Sequence, residues 1–466
     1  MNHVIAHRPR ASRSTRGRWI LAGFAIATLG VWSSCRVETV SVSVFNNFVL
    51  PGPNGANSEA PPWLLGNYGG KYRYLVTSTR TNLCHDPHTL LATTTPEGSP
   101  LSFAGASNCP RKLRPAHEIF PTERGPFWGG LDPFWAQSYP NDVYRPTWIP
   151  RKAYHGAFAG HVIQGGNGDT VLITFNHSEN VNHRVQDNGT YQNSVVHVNR
   201  EDCVQDFAVG QTCWASYSAF VTIAATPFNE NTDWGAGDPG QLWASYGPVV
   251  WPRKGYRKLD AARGWVKVND WNGLTGVQHP SSFIHDGFIY LFYLEENEGV
   301  MVARANVASS GLPGYFHVFR QGSGFTEPAL PAGFDQDHIE NFLHLPGPTN
   351  GTLILDDPGV NRFSVARIRG TGDEDLFLGV ETYLTASGGT GVALRVSPNL
   401  TSWSEREVAF ETTASASSLY SIPLDNTGTT NSEVDLNDFY VVGTTPAPPP
   451  YRVWIRHVSA KIVVDE

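Results

Sequence analysis

A short strand pattern recurs along this chain of 466 residues and limits how it can fold. In each copy, a turn of Gly, Asn or Asp leads into a strand that ends in aromatic residues, and a strand with small and basic residues follows. The clearest copy spans residues 285–304, and others begin near residues 69, 168, 374 and 437. Because one such blade cannot bury both faces alone, the copies must stack. The pattern predicts an all-β, five-bladed β-propeller, with six blades as the alternative.

Composition excludes several other architectures. Charged residues are 16% of the chain, aromatic residues are 12%, and no convincing helical stripe is present. These features exclude a coiled coil, a helical repeat, a disordered chain and a polytopic membrane protein. A short helix is expected only at 335–342. The ring is expected to close by pairing of the strand near 40–45 with strands near 451–464.

The N-terminus resembles an export signal. Five arginines and no acidic residue lie in the first 18 residues, and an apolar run follows at 19–32. This order is typical of a secretory signal, with an uncleaved membrane anchor as the alternative. Residues 1–35 are therefore assigned to a signal peptide or anchor, with lipidation of Cys35 left open. Residues 36–466 are expected to form one propeller domain with large insertions at about 110–150 and 187–276. The expected location is secreted, cell-surface or periplasmic, with the membrane reached only through the N-terminus.

The rest of the chain is acidic and contains four more cysteines. Without the five N-terminal arginines it has 29 basic and 42 acidic residues, which argues against binding nucleic acid through phosphates. In an oxidising compartment, local pairing predicts disulfides from Cys84 to Cys109 and from Cys203 to Cys213. No pair has the spacing of a zinc site. We therefore expect no cofactor, although a structural or site metal ion stays open.

One segment carries a family resemblance. It reads His-Pro-Ser-Ser-Phe-Ile-His-Asp-Gly-Phe-Ile-Tyr-Leu-Phe-Tyr at 279–293, and Val-Ala-Arg follows at 302–304. It resembles the five-bladed propeller glycoside hydrolases, the group of arabinanases, xylosidases, invertases and levansucrases, and 394–403 resembles their outer-strand signature. The resemblance implies a glycosidase site in a central funnel. The chain departs from the group in two ways: His279 replaces an acidic residue, and no Asp-Pro opens the first blade.

Glycoside hydrolysis needs two carboxyl groups across the scissile bond. Glu179 lies in a dense polar cluster directly after an apolar strand, and Glu340 stands where an inner strand could open. His161 and His279 stand where the second and third inner strands should begin, and imidazole transfers protons near neutral pH. These four residues are the catalytic candidates. The structural alternatives are a hydrogen-bonded polar loop, a surface acid and buried histidines.

Two other functions stay open. A polysaccharide lyase removes a proton beside a uronate carboxylate that a cation neutralises, and His161, His279, Tyr420 and Arg362 could supply those groups. A non-catalytic propeller could instead bind sugars on tryptophan faces. The substrate-binding candidates are His177, Asn180, Arg362, Tyr420, Trp128 and Trp135. The first choice is a secreted, monomeric glycoside hydrolase that acts on a polysaccharide or oligosaccharide in the funnel.

Overall fold

The structure, a computed structural model, describes part of the chain. The described residues are 35–49, 60–68, 70–78, 89–94, 112–115, 152–165, 168–181, 185–186, 212–213, 217–228, 244–260, 264–267, 274–295, 298–335, 342, 344–372, 375–412, 420–445 and 452–464. The expected signal segment, three of the four cysteines in the expected disulfides, and most of the expected helix at 335–342 lie outside these residues. The single-domain assignment also stays a prediction.

Strands dominate the described residues, so the all-β class expected from the sequence is confirmed. The described residues also include a turn of 3-10 helix, Val307–Ser309. In chain order the strands are β1 (Cys35–Val49), β2 (Trp63–Tyr68), β3 (Lys71–Ser78), β4 (Thr89–Thr94), β5 (Lys112–Pro115), β6 (Lys152–Gln164), β7 (Thr170–Val181), β8 (Val185–Gln186), β9 (Thr212–Cys213), β10 (Tyr217–Pro227), β11 (Ala244–Pro248), β12 (Arg257–Asp260), β13 (Gly264–Lys267), β14 (Leu274–His285), β15 (Phe288–Glu295), β16 (Gly299–Asn306), β17 (His317–Arg320), β18 (Gly324–Pro328), β19 (Val360–Ile368), β20 (Phe377–Leu384), β21 (Thr390–Ser397), β22 (Glu407–Thr412), β23 (Tyr420–Asp425), β24 (Glu433–Val434), β25 (Phe439–Thr445) and β26 (Arg452–Val464).

The first and last of these strands pair with each other. β1 runs antiparallel to β26, with Cys35 opposite Val464 and Val49 opposite Arg452. Their sheet has the order β1-β26-β25-β23, so it combines both ends of the described chain. A sheet shared between both chain ends closes a ring of blades, which is the arrangement of a β-propeller. The pairing expected between 40–45 and 451–464 is therefore confirmed, while the number of blades stays a prediction.

The remaining large sheets follow the chain order of the repeats. One has the order β2-β3-β4-β5, and another has β22-β21-β20-β19 with β24 beside β19. A longer sheet runs from β18 through β14 to β10, β7 and β6, and its two halves meet in a short parallel pairing of β10 with β14. β10 and β11 lie within residues 187–276, so this segment contributes sheet strands and not only loops.

Strand β15 is apolar on both faces because each face packs against a different buried cluster. Ile289, Leu291 and Tyr293 belong to one buried cluster, whereas the alternating Tyr290 and Phe292 belong to another. Successive side chains of a strand point to opposite faces of the sheet. The sheet therefore has packed neighbours on both faces, as a blade between two other blades does.

Five strands converge near the candidate site. β14 contacts β6, β7 and β19, and β19 contacts β23. The sequence placed inner-strand starts at His161 in β6 and His279 in β14, whereas β19 and β23 were not singled out as inner strands. The packing brings together residues that are far apart in the chain. None of the described residues forms a helix with the length and apolar character that crossing a membrane requires.

Candidate active site

Five side chains from five strands meet in a buried group that we call the His–Tyr–Arg cluster. Its members are Phe158 of β6, His177 of β7, His279 of β14, Arg362 of β19 and Tyr420 of β23. All are buried: His279 keeps 7% of its surface exposed, Tyr420 keeps 4%, and Arg362 is fully enclosed. Histidine, arginine and tyrosine are rarely buried together without a structural or chemical role.

His279 has an unusual backbone conformation. Its φ is +49°, a left-handed value that costs a residue with a Cβ atom roughly 1–2 kcal/mol. The register of β14 against β15 is irregular between Gln278 and Ser281, so His279 lies in a bulge. Bulges redirect side chains and are enriched beside active sites. Here the bulge turns the imidazole toward β19 and β23, whose residues bond both of its ring nitrogens.

The two ring nitrogens of His279 have different partners. Nδ1 lies 2.7 Å from the backbone carbonyl oxygen of Asn361, and Nε2 lies 2.9 Å from Tyr420 Oη. A carbonyl oxygen only accepts, so this network assigns the ring proton to Nδ1. Nε2 then accepts the hydrogen bond from the Tyr420 hydroxyl. Burial, with the nearby His177, holds the pKa of His279 well below its usual value, so the imidazole is neutral.

Aromatic packing holds this imidazole in place. The Phe158 ring stacks on it at 5.8 Å between centroids, with the ring planes 10° apart. The rings of His177 and Tyr420 lie 5.0 and 4.6 Å from it. A side chain contacted from three sides has few other rotamers, so the Tyr420–His279 hydrogen bond is preorganised rather than transient.

Arg362 is a buried cation whose partners are neutral oxygens. Its Nε donates to Ser364 Oγ at 3.2 Å, and Nη2 donates to the Phe158 carbonyl oxygen at 2.9 Å. Nη1 is buried and has no hydrogen-bond partner among the described residues. The guanidinium carbon lies 5.2 Å from the Phe158 ring centroid and 5.9 Å from that of Tyr420. Burial lowers the pKa of Arg362 to about 9, so it stays mostly cationic at neutral pH.

The structure brings together three of the four groups proposed for a lyase site, namely His279, Tyr420 and Arg362. His161 makes a different contact: its Nε2 lies 2.8 Å from Ser282 Oγ, and its ring is edge-on to Trp63. Burial lowers the pKa of His161 to about 4, so it too is neutral. His161 therefore contacts Ser282 where β6 packs against β14, and it does not belong to the His–Tyr–Arg cluster.

The side chains of both carboxyl candidates and of three binding candidates lie outside the residues that the structure describes. The backbone of Glu179 lies in β7, two residues beyond His177, and Asn180 follows it. The side chains of Glu179 and Asn180 lie outside the described part of the structure, as do Glu340, Trp128 and Trp135 entirely. The Glu179–Glu340 pair and these binding roles therefore stay predictions.

Two cluster contacts were missed by sequence reasoning. Phe158 lies in a run of small residues, and an apolar side chain there carries no chemical signal. The Asn361 contact uses a backbone carbonyl, which every residue has. His177 packs against the ring of His279, and its expected role in substrate binding stays a prediction.

A second buried charge group lies elsewhere and is internally paired. Glu381 is fully buried, and its oxygens accept from Arg395 Nε at 2.6 Å and from Arg406. Arg406 also pairs with Asp357, whose Oδ1 accepts the Gly359 N–H in a turn. Buried charges that are satisfied in this way are a structural feature. Within the described residues, no three His, Cys, Asp or Glu side chains converge as metal ligands would.

Comparisons with known proteins give similarity only to solved structures. No family model matches the chain, and no curated protein matches it. The catalytic domain of a GH62 alpha-L-arabinofuranosidase from Coprinopsis cinerea is 10% identical over 91% of this chain and 98% of its own, with a TM-score of 0.38. A levansucrase from B. megaterium is 8% identical over 94% and 89%, with a TM-score of 0.39.

A sialidase from Trypanosoma rangeli is 11% identical over 90% of this chain and 60% of its own, with a TM-score of 0.31. These three solved structures are β-propeller glycoside hydrolases. Such distant similarity concerns the arrangement of strands and assigns no reaction or residue. Because one fold hosts many reactions, the activity has to be argued from the His–Tyr–Arg cluster itself.

Proposed function

We propose that this protein is a carbohydrate-active enzyme that cleaves glycosidic bonds in a polysaccharide or oligosaccharide, with Tyr420 and His279 as its proton-transferring pair. The observation that supports this function is the 2.9 Å hydrogen bond from Tyr420 Oη to Nε2 of a neutral imidazole. The other nitrogen of that imidazole is anchored on the Asn361 carbonyl. An oriented neutral imidazole that accepts from a hydroxyl is the arrangement general acid–base catalysis uses.

The pair can act as both base and acid. Tyr420 becomes a base when its proton passes to His279 Nε2, and it becomes an acid again when the proton returns. The nearby Arg362 cation favours the phenolate form, because an opposite charge stabilises the ionised state. The pair is almost fully enclosed among the described residues, with Tyr420 4% and His279 7% exposed.

Elimination is the cleavage reaction that this pair supports best, because it needs a base and an acid but no pair of carboxyl groups. Hydrolysis remains the first alternative, and it requires two carboxyl groups roughly 5 to 9.5 Å apart across the bond. Glu179 and Glu340 are the candidates for that pair. The proposal also includes export of a monomer, without binding of nucleic acid, on the basis of the N-terminal sequence and the acidic body.

A polysaccharide panel separates the outcomes. Purified protein that releases reducing ends together with absorbance from a new carbon–carbon double bond is a lyase. Reducing ends without that absorbance indicate a hydrolase and would move the chemistry to the carboxyl pair. Binding without any product would leave a non-catalytic carbohydrate-binding propeller and contradict the proposed enzyme.

The substitution Tyr420→Phe tests the residue assignment. It removes the hydroxyl and keeps the ring, so kcat should fall by about 100-fold or more, the usual contribution of a general acid or base. The cost in stability should be about 1 kcal/mol, that of one buried hydrogen bond. The matched control is Tyr315→Phe, at a tyrosine that is 57% exposed. Normal turnover in Tyr420→Phe, measured on the same substrate, would eliminate this pair from the mechanism.

A further inference from the structure

Arg362 carries a positive charge that the described residues do not neutralise. Nε donates to a hydroxyl oxygen and Nη2 to a carbonyl oxygen, while Nη1 has no acceptor within the part of the chain that the structure describes. Its partners are fixed in turn, because Ser364 Oγ donates to the Ser421 carbonyl and Ser421 Oγ lies 2.5 Å from Thr382 Oγ1. The guanidinium is therefore held in one orientation by groups that carry no charge.

The buried carboxylates of the described chain are engaged elsewhere. Glu381 is paired with Arg395 and Arg406, Glu295 accepts from the Arg253 backbone, and Asp425 accepts from the N–H groups of its own turn. His279, which accepts the hydrogen bond from Tyr420, is neutral. An enclosed cation with one donor free is costly, and an anion placed against that donor removes the cost.

We propose that Arg362 Nη1 receives a carboxylate of the substrate, so that the glycan cleaved at this site contains uronic acid residues. This inference rests on the proposed function, because the same cluster holds the Tyr420–His279 pair. A planar guanidinium recognises carboxylates through directed, charge-assisted hydrogen bonds. The aromatic faces of Phe158 and Tyr420 beside it limit the direction from which the anion can approach.

The position of the carboxylate explains why elimination suits this cluster. Tyr420 passes its proton to His279 Nε2, and the phenolate then removes the sugar proton on the carbon that bears the carboxylate. The carbanion's electron pair forms the carbon–carbon double bond as the bond to the leaving oxygen breaks. That oxygen takes a proton from Tyr420, which recovers its own from His279. Arg362 stabilises the charge that builds on the carboxylate during the proton removal.

The test uses the full-length protein and paired oligosaccharides. Oligomers of galacturonate, glucuronate and mannuronate are compared by calorimetry with their methyl esters and with their carboxyl-reduced forms, alongside a sulfated neutral glycan. At least one acidic series should bind about tenfold tighter than both of its uncharged counterparts, the gain expected from a charge-assisted hydrogen bond. Equal binding of the uncharged forms, binding of the sulfated glycan alone, or binding of no acidic series would overturn the inference.

Variants then assign the preference to Arg362. In Arg362→Met the acidic and uncharged forms should bind equally, whereas the control Arg320→Met, at an exposed arginine, should keep the preference. If Arg362→Met does not fold, Arg362→Lys keeps a charge but loses the fixed fork, and it should weaken acidic binding by several-fold. An unchanged preference in either folded variant contradicts the assignment.

The inference and the proposed function can fail separately. Cleavage of neutral glycans that depends on Tyr420 would leave the enzyme standing and refute the carboxylate site. Tight, Arg362-dependent binding of a uronate oligosaccharide without any product would support the carboxylate site and refute the enzyme.

Discussion

Glu295, at the end of β15, is a carboxyl group enclosed in the protein. It is 4% exposed, and its Oε1 accepts the Arg253 backbone N–H at 2.8 Å. Its Oε2 has no hydrogen-bond partner in the described ranges. Burial raises its pKa to about 7, and the Arg253 bond and the charges of Arg253 and Lys254 only partly oppose this shift. Glu295 therefore changes its charge near neutral pH.

Glu295→Gln should make the protein more stable at alkaline pH. A carboxyl whose pKa is higher in the folded state than its unfolded value of 4.5 contributes its full stability below that value, and the contribution is lost as pH rises through 7. At pH 8 the variant should exceed the wild type by up to roughly 3 kcal/mol, while the two should agree near pH 4.5. Denaturant unfolding at both pH values measures this difference.

The control for Glu295 is Glu405→Gln, at an exposed glutamate, which should leave the pH dependence of unfolding unchanged. The measurement compares the wild type with Glu295→Gln at each pH, because other groups contribute to the pH dependence of stability with the opposite sign. The lowered pKa values of His161 and His279 mean that these two contribute stability above pH 6.5, which is lost on acidification. A wild type and Glu295→Gln with parallel pH curves would refute an enclosed, protonatable Glu295.

Strands β25 and β26 depend on a glycine opposite a tryptophan. Gly443 pairs with Trp454 in the ladder, and a Cβ atom added at Gly443 would lie 2.0 Å from the Trp454 ring. Gly443→Ala should therefore destabilise the protein by about 1–3 kcal/mol through overpacking, visible as a lower melting temperature. Gly359→Ala is the control, because its nearest neighbour is a side-chain oxygen at 3.1 Å. If Gly443→Ala melted at the same temperature as the wild type, the close packing of Gly443 against Trp454 would be contradicted.

Closure of the whole ring of sheets depends on strand β26. β26 pairs with β1 on one side and β25 on the other. Deleting 451–466 should abolish cooperative unfolding and cause aggregation, because two strand edges lose their partner at once. Circular dichroism melts with light scattering measure both effects, and deletion of 465–466 alone is the control. A truncated chain that melts like the full-length chain would refute the closure.

Much of the fold could be predicted because strand signals are local. The alternation in 71–77, 170–175 and 288–293 depends on neighbouring residues, and each run lies within a strand, β3, β7 and β15. The closure between the two chain ends also followed, since a ring of blades has to pair its first strand with its last. What the pattern could not resolve was the role of 187–276, where β10 and β11 are embedded in loop-like sequence.

The strand content, the order of the repeats and the residue types available for chemistry can be read from the amino-acid sequence. Which of these residues meet depends on how the sheets pack in three dimensions. His279 and Tyr420 are 141 positions apart, and Arg362 is 204 positions from the Phe158 carbonyl that it contacts. Such contacts depend on how separate sheets pack, on a bulge at His279 and on a backbone carbonyl. No local periodicity encodes them, because side-chain alternation sets the face of a strand but not the neighbour across the next sheet.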